Sequence, residues 1–283
     1  MEDQSPGDCS LSLCNSGFRT FVSVLLTELS PESNTELQTA RYWDPAPTIP
    51  NHDVSARIGT GSTGNVWKAR HRFVDQAVAV KVLADGFRDR AEERRRSFRI
   101  EALIARTMPH PHLVQVFDVG ATSTGLPFLS MELAVRTLNV KDSMMTKLHA
   151  LSAVGHALDH LHANGVVHCD VKPSNILLVD GIRSDRWILA DLGMAWRVND
   201  PFALGAGTFG YVAPERFQRT PPTSACDVYS YARLAQHILT PCVNETTMHA
   251  LSSVLSSSLA DDPRQRARLA TDLLAEIHTA LRK

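Results

Sequence analysis

The sequence predicts an α+β fold of two lobes, a small β-rich N-terminal lobe and a larger helical C-terminal lobe. Two observations lead to this prediction: segments rich in β-branched residues all lie before residue 131, and the apolar residues after it recur at helical spacing. The first part also contains one charged stretch, residues 88–107, that predicts a helix. Five short strands are predicted, over 54–59, 65–70, 76–83, 113–119 and 127–131. Three later helices are predicted near 148–161, 228–238 and 269–281.

The composition is that of a globular protein with a real core, because 43% of the residues are hydrophobic and 21% are charged. A formal net charge of −1 excludes a globally basic nucleic-acid-binding protein. The five cysteines form no CxxC pair, which excludes a disulfide scaffold or a zinc module and predicts a reducing compartment. No segment approaches the roughly 20 apolar residues of a membrane helix, and no signal peptide is recognised. We therefore expect a cytoplasmic protein.

A glycine-rich turn lies between the first two predicted strands. Gly59, Gly61 and Gly64 have the G-x-G-x-x-G spacing that lets backbone amides approach phosphates closely. A dinucleotide-binding turn has the same spacing but needs a following helix and an acid about 20 residues later. Here a strand follows instead, and Lys81 stands between small apolar residues at that distance. The pattern indicates a phosphate-binding lysine, and Glu101 on the predicted helix is the candidate carboxylate that holds it.

The most informative run of the sequence is HCDVKPSN. It brings Asp170, Lys172 and Asn175 into one short loop, so that an acid, a cation and an amide oxygen surround one point. An acid can accept the proton of an attacking hydroxyl, and an amide oxygen suits Mg²⁺. Sixteen residues after Asn175, Asp191 precedes a leucine and a flexible glycine, and offers a second oxygen ligand.

The order of these motifs resembles eukaryotic-type (Hanks-type) protein kinases over residues 54–270. The chain presents, in this order, a glycine loop, a lysine on a strand, a glutamate on a helix, a catalytic loop and a magnesium-binding aspartate. An Ala-Pro-Glu triplet that ends at Glu215 follows them. Lys172 and Thr208 resemble the Ser/Thr branch, and residues 173–178 resemble bacterial members. The resemblance implies a bilobal protein-kinase-like fold, ATP and Mg²⁺ as cofactors, and transfer of the γ-phosphate to Ser/Thr hydroxyls of protein substrates. It implies no nucleic-acid partner and leaves the oligomeric state open.

The resemblance also implies roles for the residues of phosphate transfer. Asp170 would orient the substrate hydroxyl and act as its base, and Lys172 would stabilise the transferred phosphate. Thr208 would bridge these two side chains. Asn175 and Asp191 would hold Mg²⁺.

A second group of residues would bind the nucleotide. Lys81 would hold the α- and β-phosphates with Glu101 behind it, while aliphatic side chains would sandwich the adenine next to a gatekeeper and a hinge. The implied ATP-binding residues are Ile58, Gly59, Gly61, Gly64, Val66, Ala79, Lys81, Met131, Glu132, Ala134 and Leu177. In the scaffold behind the site, Glu215 would pair with Arg266 and Asp227 would brace the catalytic loop.

We predict a kinase domain over 51–283 behind an N-terminal extension. The extension carries seven acids against two bases, is expected to be partly ordered, and contains a possible short helix over 18–29. The C-lobe looks short after the hinge and near 240–247. The predicted parts are the extension 1–50, the N-lobe 51–131 and the C-lobe 132–283.

The sequence departs from the family in several places. Cys169 replaces the usual Arg of His-Arg-Asp, which commonly receives a phosphate on the activation loop, and the loop 194–207 contains no Ser, Thr or Tyr. Because acceptor and receiver are both missing, we predict an active conformation that needs no loop phosphorylation. Leu192 replaces a common Phe, and Ala105 is smaller than the usual apolar residue. Two alternatives stay open, a pseudokinase that acts as a scaffold and a small-molecule kinase of the aminoglycoside-phosphotransferase type.

Overall fold

A computed structural model describes residues 45–61, 64–83, 91–181, 185–197, 207–218 and 220–282. The predicted N-terminal extension, with its helix over 18–29, lies outside the described residues except for positions 45–50. Most of the predicted loop 194–207 lies outside them as well. No helix among these ranges is long and apolar enough to cross a bilayer.

The N-terminal lobe is a five-stranded antiparallel sheet with the strand order β1-β2-β3-β5-β4. One face carries an apolar cluster that includes Val78, Val80 and Val82 of β3 together with Trp67 and Phe128. Strand alternation turns Lys81 to the opposite face, where the functional residues lie. The strands are β1 His52–Thr60, β2 Gly64–His71, β3 Gln76–Leu83, β4 Val116–Ala121 and β5 Pro127–Glu132.

The fourth predicted strand begins three residues too early. Leu113 forms a bridge with Leu189, and the amide of Val114 donates to the carbonyl of Leu189 at 3.1 Å. These residues therefore pair with a strand of the other lobe rather than continuing β4. The 2% exposed Leu113 belongs to the main core, which explains why its apolar pattern resembled a strand.

Helix α1, Ala91–Thr107, packs against the N-terminal sheet. Its Phe98 forms a small core with Leu83 and Leu129 of the sheet. Glu92 and Glu93 in its first turn stabilise the helix, because their negative charges lie at the positive end of the helix dipole. The predicted start at residue 88 lies outside the described residues.

The C-terminal lobe is helical and contains the largest apolar core. Helix α2 begins after Ser143, whose side chain accepts the amide of Thr146 at 3.2 Å, and it buries Leu151 and Leu158 completely. The α+β, two-lobed fold predicted from the sequence is confirmed. The helices of this lobe are α2 Met144–Ala163, α3 Ser224–Leu239, α4 Glu245–Ser258 and α5 Ala270–Ala280.

Five short strands near the lobe boundary complete the described fold. Strands β6, β8 and β9 form one sheet, and β7 pairs with β10. Residues 138–143 alone connect β6 to α2, and a 3-10 turn at Thr240–Cys242 leads from α3 to the segment before α4. The short strands are β6 Ala134–Thr137, β7 Val166–Val167, β8 Ile176–Val179, β9 Arg186–Leu189 and β10 Trp196–Arg197.

Candidate active site

The glycine loop joins β1 to β2, and its middle residues, 62 and 63, lie outside the described residues. The amide of Gly61 donates to the carbonyl of Gly64 at 2.8 Å and closes the turn. A Cβ on Gly64 would lie 2.2 Å from the carbonyl oxygen of Val82, so only glycine fits against the neighbouring strand. The loop is therefore held close to β3, the strand that carries Lys81.

Lys81 is the centre of a buried ion-pair network. Its ammonium nitrogen lies 2.7 and 3.0 Å from the two carboxylate oxygens of Glu101 and 2.9 Å from Asp191 Oδ1. Burial alone would lower the pKa of Lys81, but the two carboxylates outweigh it and raise that pKa. Burial raises the pKa of Glu101, and the Lys81 ammonium partly offsets that rise. The structure thus joins a strand, a helix and a loop through one charged side chain, as the sequence predicted for Lys81 and Glu101.

The catalytic-loop residues form a second cluster around Asp170. Thr208 Oγ1 donates to Asp170 Oδ1 at 2.5 Å, and Lys172 lies 2.7 Å from both Thr208 Oγ1 and Asp170 Oδ2. Thr208 therefore bridges the acid and the cation across 38 residues of sequence. Its neighbour Gly207 has φ +103°, and a Cβ there would lie 2.7 Å from the carbonyl oxygen of Cys169, so glycine is required.

Asn175 and Asp191 supply the oxygen atoms that the resemblance assigns to Mg²⁺. The side-chain amide of Asn175 donates to the backbone oxygen of Asp170 at 2.8 Å and to its Oδ2 at 3.1 Å, which leaves Oδ1 of Asn175 to bind a cation. Asp191 adopts a left-handed conformation, φ 63°, and its side chain is 42% exposed. Burial opposes ionisation of Asp191, but Lys81 outweighs it and lowers the pKa of that carboxyl. An amide oxygen with an ionised carboxylate is a donor set that fits Mg²⁺.

The predicted adenine-binding residues occupy neighbouring strands. Ala79 pairs with Met131, and Val66 pairs with Lys81, so these side chains lie near the lysine network. Leu177 is half-buried on β8 of the other lobe. The adenine sandwich formed by these residues remains a prediction.

The hinge residue Glu132 is engaged by its own chain. Its carboxylate accepts the amide of Gln115 at 2.7 Å and forms an ion pair with Arg186. Burial raises the pKa of Glu132, and these two partners oppose the rise. The side chain is thus directed to Arg186 of β9, and the role of Glu132 in binding the nucleotide stays a prediction.

With this geometry in place, comparison with known proteins identifies the family. A family model described as the protein kinase domain matches residues 52–272. The chain belongs to the protein kinase family.

Several mycobacterial kinases are similar to this chain. Serine/threonine-protein kinase PknD of Mycobacterium tuberculosis is 31% identical over 261 residues, which cover 79% of this chain and 39% of PknD. PknH of Mycobacterium bovis is 30% identical over 262 residues, 79% of this chain and 43% of PknH. The chain therefore spans about two fifths of the length of these curated relatives. The crystal structure of the Mycobacterium tuberculosis PknI kinase domain matches with a TM-score of 0.65 at 24% identity, covering 84% of this chain and all of that domain, which supports the fold.

Asp227 braces the catalytic loop of this kinase fold from behind. Its carboxylate accepts the amides of His168 at 2.7 Å and Cys169 at 2.8 Å, and lies 2.8 Å from His162 Nε2. Burial would raise the pKa of Asp227, but the hydrogen bond from His162 and the other contacts lower it. The position of His162 at the end of a helix gave no sign of this contact in the sequence.

Ser97 is a further residue of the site that the sequence analysis missed. Its buried hydroxyl donates to the backbone oxygen of Gly193, which links α1 to the short 3-10 turn after Asp191. A Cβ on Gly193 would lie 3.2 Å from Ser97 Oγ and 3.3 Å from Asp191 Oδ1. A lone serine on a charged helix has no pattern that could have revealed this role.

Cys169 occupies the position of the family's usual Arg within an apolar cluster. It packs with Val167 and Trp196, and the partly buried Met194 lies against them. Strand β10 carries Trp196 and pairs directly with Val167 of β7. Burial and the nearby Asp227 raise the pKa of the Cys169 thiol, so the residue is a neutral apolar filler.

Proposed function

We propose that this chain is an ATP- and Mg²⁺-dependent serine/threonine protein kinase. The observation that carries the proposal is the convergence of two clusters, Lys81 with Glu101 and Asp191, and Asp170 with Lys172 and Thr208. The amide of Ala190, which precedes Asp191, donates to the carbonyl of Asn175 at 2.9 Å, so the catalytic loop lies against the magnesium loop, and Lys81 contacts Asp191 from the other lobe. Family membership and the mycobacterial Ser/Thr kinase relatives support this activity.

In the proposed reaction, the oxygen of a protein Ser or Thr hydroxyl forms a bond to the γ-phosphorus of ATP. The bond between that phosphorus and the β,γ-bridging oxygen breaks, ADP leaves, and Asp170 accepts the hydroxyl proton. Lys172 neutralises charge on the transferred group, and Thr208 holds the side chains of Lys172 and Asp170 in place through its hydrogen bonds to both. Lys81 binds the α- and β-phosphates. Asn175 and Asp191 would hold Mg²⁺, which would neutralise charge on the phosphates.

Most of the rate enhancement in this mechanism comes from positioning and electrostatics, because the protein forms no covalent bond to the transferred phosphate. Glu101 acts through Lys81 by fixing the ammonium, and Asp227 acts through the catalytic-loop backbone. The site therefore depends on buried contacts that are already formed between its own side chains.

The direct test is transfer of radiolabelled γ-phosphate from Mg²⁺/ATP to the chain itself and to a generic protein acceptor. We expect label on Ser or Thr, and no label with the Asp191→Ala variant, which removes a metal ligand. Nucleotide binding without transfer by the parent protein would contradict the proposal and support the scaffold alternative. Transfer to an aminoglycoside but to no protein would support the small-molecule kinase.

We also propose that the active conformation needs no phosphate on the activation loop. The apolar contacts of Cys169 with Val167 and Trp196 tie the catalytic loop to the first residues of that loop. In family members with Arg at this position, an ion pair with a phosphate on the activation loop commonly links the two loops. Apolar packing is stabilising without any modification of the chain.

We expect phosphatase treatment of the purified kinase to leave kcat unchanged. The measurement is the initial rate of phosphate transfer before and after treatment, with heat-inactivated phosphatase as the control. Dephosphorylation of a phosphorylated peptide in the same reaction shows that the phosphatase was active. Loss of activity that returns after rephosphorylation would contradict the prediction.

Protein substrates bearing Ser or Thr are part of the same proposal. The cytoplasmic location and the domain boundaries at residues 50 and 131 stay predictions.

A further inference from the structure

Four histidines from two distant segments of the chain lie together outside the candidate active site. His110 and His112 belong to the linker of residues 108–115 between α1 and β4, and His156 and His160 lie four residues apart on α2. The His110 ring stacks on that of His160 with centroids 4.8 Å apart, and the His112 ring lies 5.6 Å from His110 and 6.5 Å from His156. We call these four residues the histidine cluster. Among the described residues, no three His, Cys, Asp or Glu side chains are arranged to hold a metal ion, which leaves proton binding as the chemistry of the cluster.

Two nitrogen atoms of the histidine cluster have surroundings that suit only a neutral ring. His110 Nδ1 accepts the amide of His112 at 3.2 Å, and a protonated ring has no lone pair with which to accept it. His160 Nε2 is buried and has no hydrogen-bond partner among the described residues, so a charge on this ring would be poorly compensated. Burial lowers the pKa of His110, and the neighbouring imidazoles of His160, His112 and His156 lower it further. The folded structure therefore favours the neutral form of the stacked pair.

The charged side chains around the histidine cluster supply little negative charge. Arg186 of β9 donates to the carbonyl of Pro111 at 2.5 Å, between the two linker histidines, and it pairs with Glu132. On α2, Asp159 accepts the amides of Ala270 and Thr271 at the start of α5 instead of contacting the cluster. The other charged or titratable side chains that line the groove beside His112 are Arg136, His149 and Asp185. Protonated rings would therefore face one another and a guanidinium, with Asp185 as the one carboxylate among the described residues of that groove.

The linker that carries His110 and His112 connects the histidine cluster to the candidate active site. It directly follows α1, the helix that presents Glu101 to Lys81. Further along the linker, the carbonyl of His112 accepts the amide of Leu189 at 2.9 Å, which attaches the linker to β9 of the other lobe. A displacement of the linker would therefore reach α1 through a covalent connection of a few residues.

We propose that the histidine cluster is a pH-sensitive contact that holds the linker against α2 at neutral pH and releases it on acidification. Protonation of His110 breaks its hydrogen bond from the amide of His112 and places a positive ring against His160. The linker then separates from α2, the attachment of α1 loosens, and Glu101 is held less firmly against Lys81. The expected consequence, a kinase that is slower in acid than at neutral pH, rests on the proposed function, whereas release of the linker does not.

The test compares the full parent chain with His110→Asn between about pH 5.5 and pH 8, the range in which histidine titrates. The asparagine oxygen can accept an amide two residues later, as the imidazole nitrogen does here, but it carries no charge at any pH. We expect equal rates of phosphate transfer at pH 8 and a severalfold faster variant in acid. Because folding lowers the pKa of His110, the difference should develop below its ordinary value of 6.5. Hydrogen exchange needs no activity, and in acid the amides of Val114 and Leu189 should exchange faster in the parent than in the variant, while amides of β2 exchange equally in both.

Two further variants separate the histidine cluster from other titrating groups. His249→Asn replaces an exposed histidine of α4 and, as the matched control, should follow the parent at every pH. His160→Gln removes the stacked partner and should also reduce the sensitivity to acid, which keeps the proposal testable if His110→Asn fails to fold. A ratio of variant to parent rate that stays constant with pH, or equal exchange of the linker amides in acid, would overturn the proposal. Absence of phosphate transfer at every pH would contradict the proposed function alone, because exchange of the linker amides would still decide whether acid releases the linker.

Discussion

Replacing Asp170 by asparagine is expected to lower kcat by roughly 10²–10⁴-fold, the range for loss of a general base. The carboxylate is 7% exposed and already accepts hydrogen bonds from Thr208 and Asn175 beside the Lys172 ammonium. An amide of the same shape cannot take the proton of a substrate hydroxyl. Because Lys81 and the glycine loop bind ATP in the proposed mechanism, KM for ATP should change little.

The measurement is steady-state transfer to a protein acceptor at varied ATP, together with thermal unfolding of each variant. Asp180→Asn, an exposed carboxylate of the same lobe, is the matched control and should retain the parent kcat. Thr208→Ser keeps the bridging hydroxyl and should retain most of the activity, whereas Thr208→Ala should not. If the Asp170→Asn variant kept the parent kcat, the assignment of Asp170 as the base would be wrong.

The parts of the site that the sequence could predict are those carried by short runs of residues. Asp170, Lys172 and Asn175 lie within six positions of one another, so their proximity follows from chain connectivity. Lys81 lies on a strand whose alternation was readable over 76–83, and Glu101 lies on a neighbouring helix that the charged stretch 88–107 predicted. Their 2.7 Å contact then required only that the helix pack against the sheet.

The parts that the sequence could not predict depend on contacts between distant positions. The pairing of Val167 with Trp196 involves strands of two residues, which are too short to show any alternation. The bridge from Leu113 to Leu189 could not be predicted for another reason. A buried apolar residue gives the same sequence pattern whichever sheet it pairs with. Ser97 became visible only when its hydroxyl was found against Gly193, 96 positions later.

The ion pair between Glu215 and Arg266 should be a major source of stability for the C-terminal lobe. The guanidinium is fully buried, lies 2.7 and 2.8 Å from the two carboxylate oxygens, and also donates to the carbonyls of Ala225 and Ala260. Glu215→Gln leaves this buried cation without its counter-charge, and we expect a loss of about 3–5 kcal/mol in the free energy of unfolding. Urea denaturation at neutral pH measures it. The matched control is Arg264→Met, which breaks an exposed pair with Asp262 two residues earlier and should change stability little.

The pH dependence of the same variant tests the origin of that stability. Burial would raise the pKa of Glu215, but hydrogen bonds from Arg266 outweigh it and hold the folded-state pKa below the ordinary value of 4.5. The unfolded chain therefore binds the proton first on acidification, so the contribution of Glu215 is complete above pH 4.5 and is lost as the pH falls through the folded-state pKa. The difference in unfolding free energy between the parent and Glu215→Gln should shrink over that acid range and stay constant from pH 6 to 8. A difference that persisted unchanged in acid would show that shape rather than charge makes the Glu215 contact stabilising.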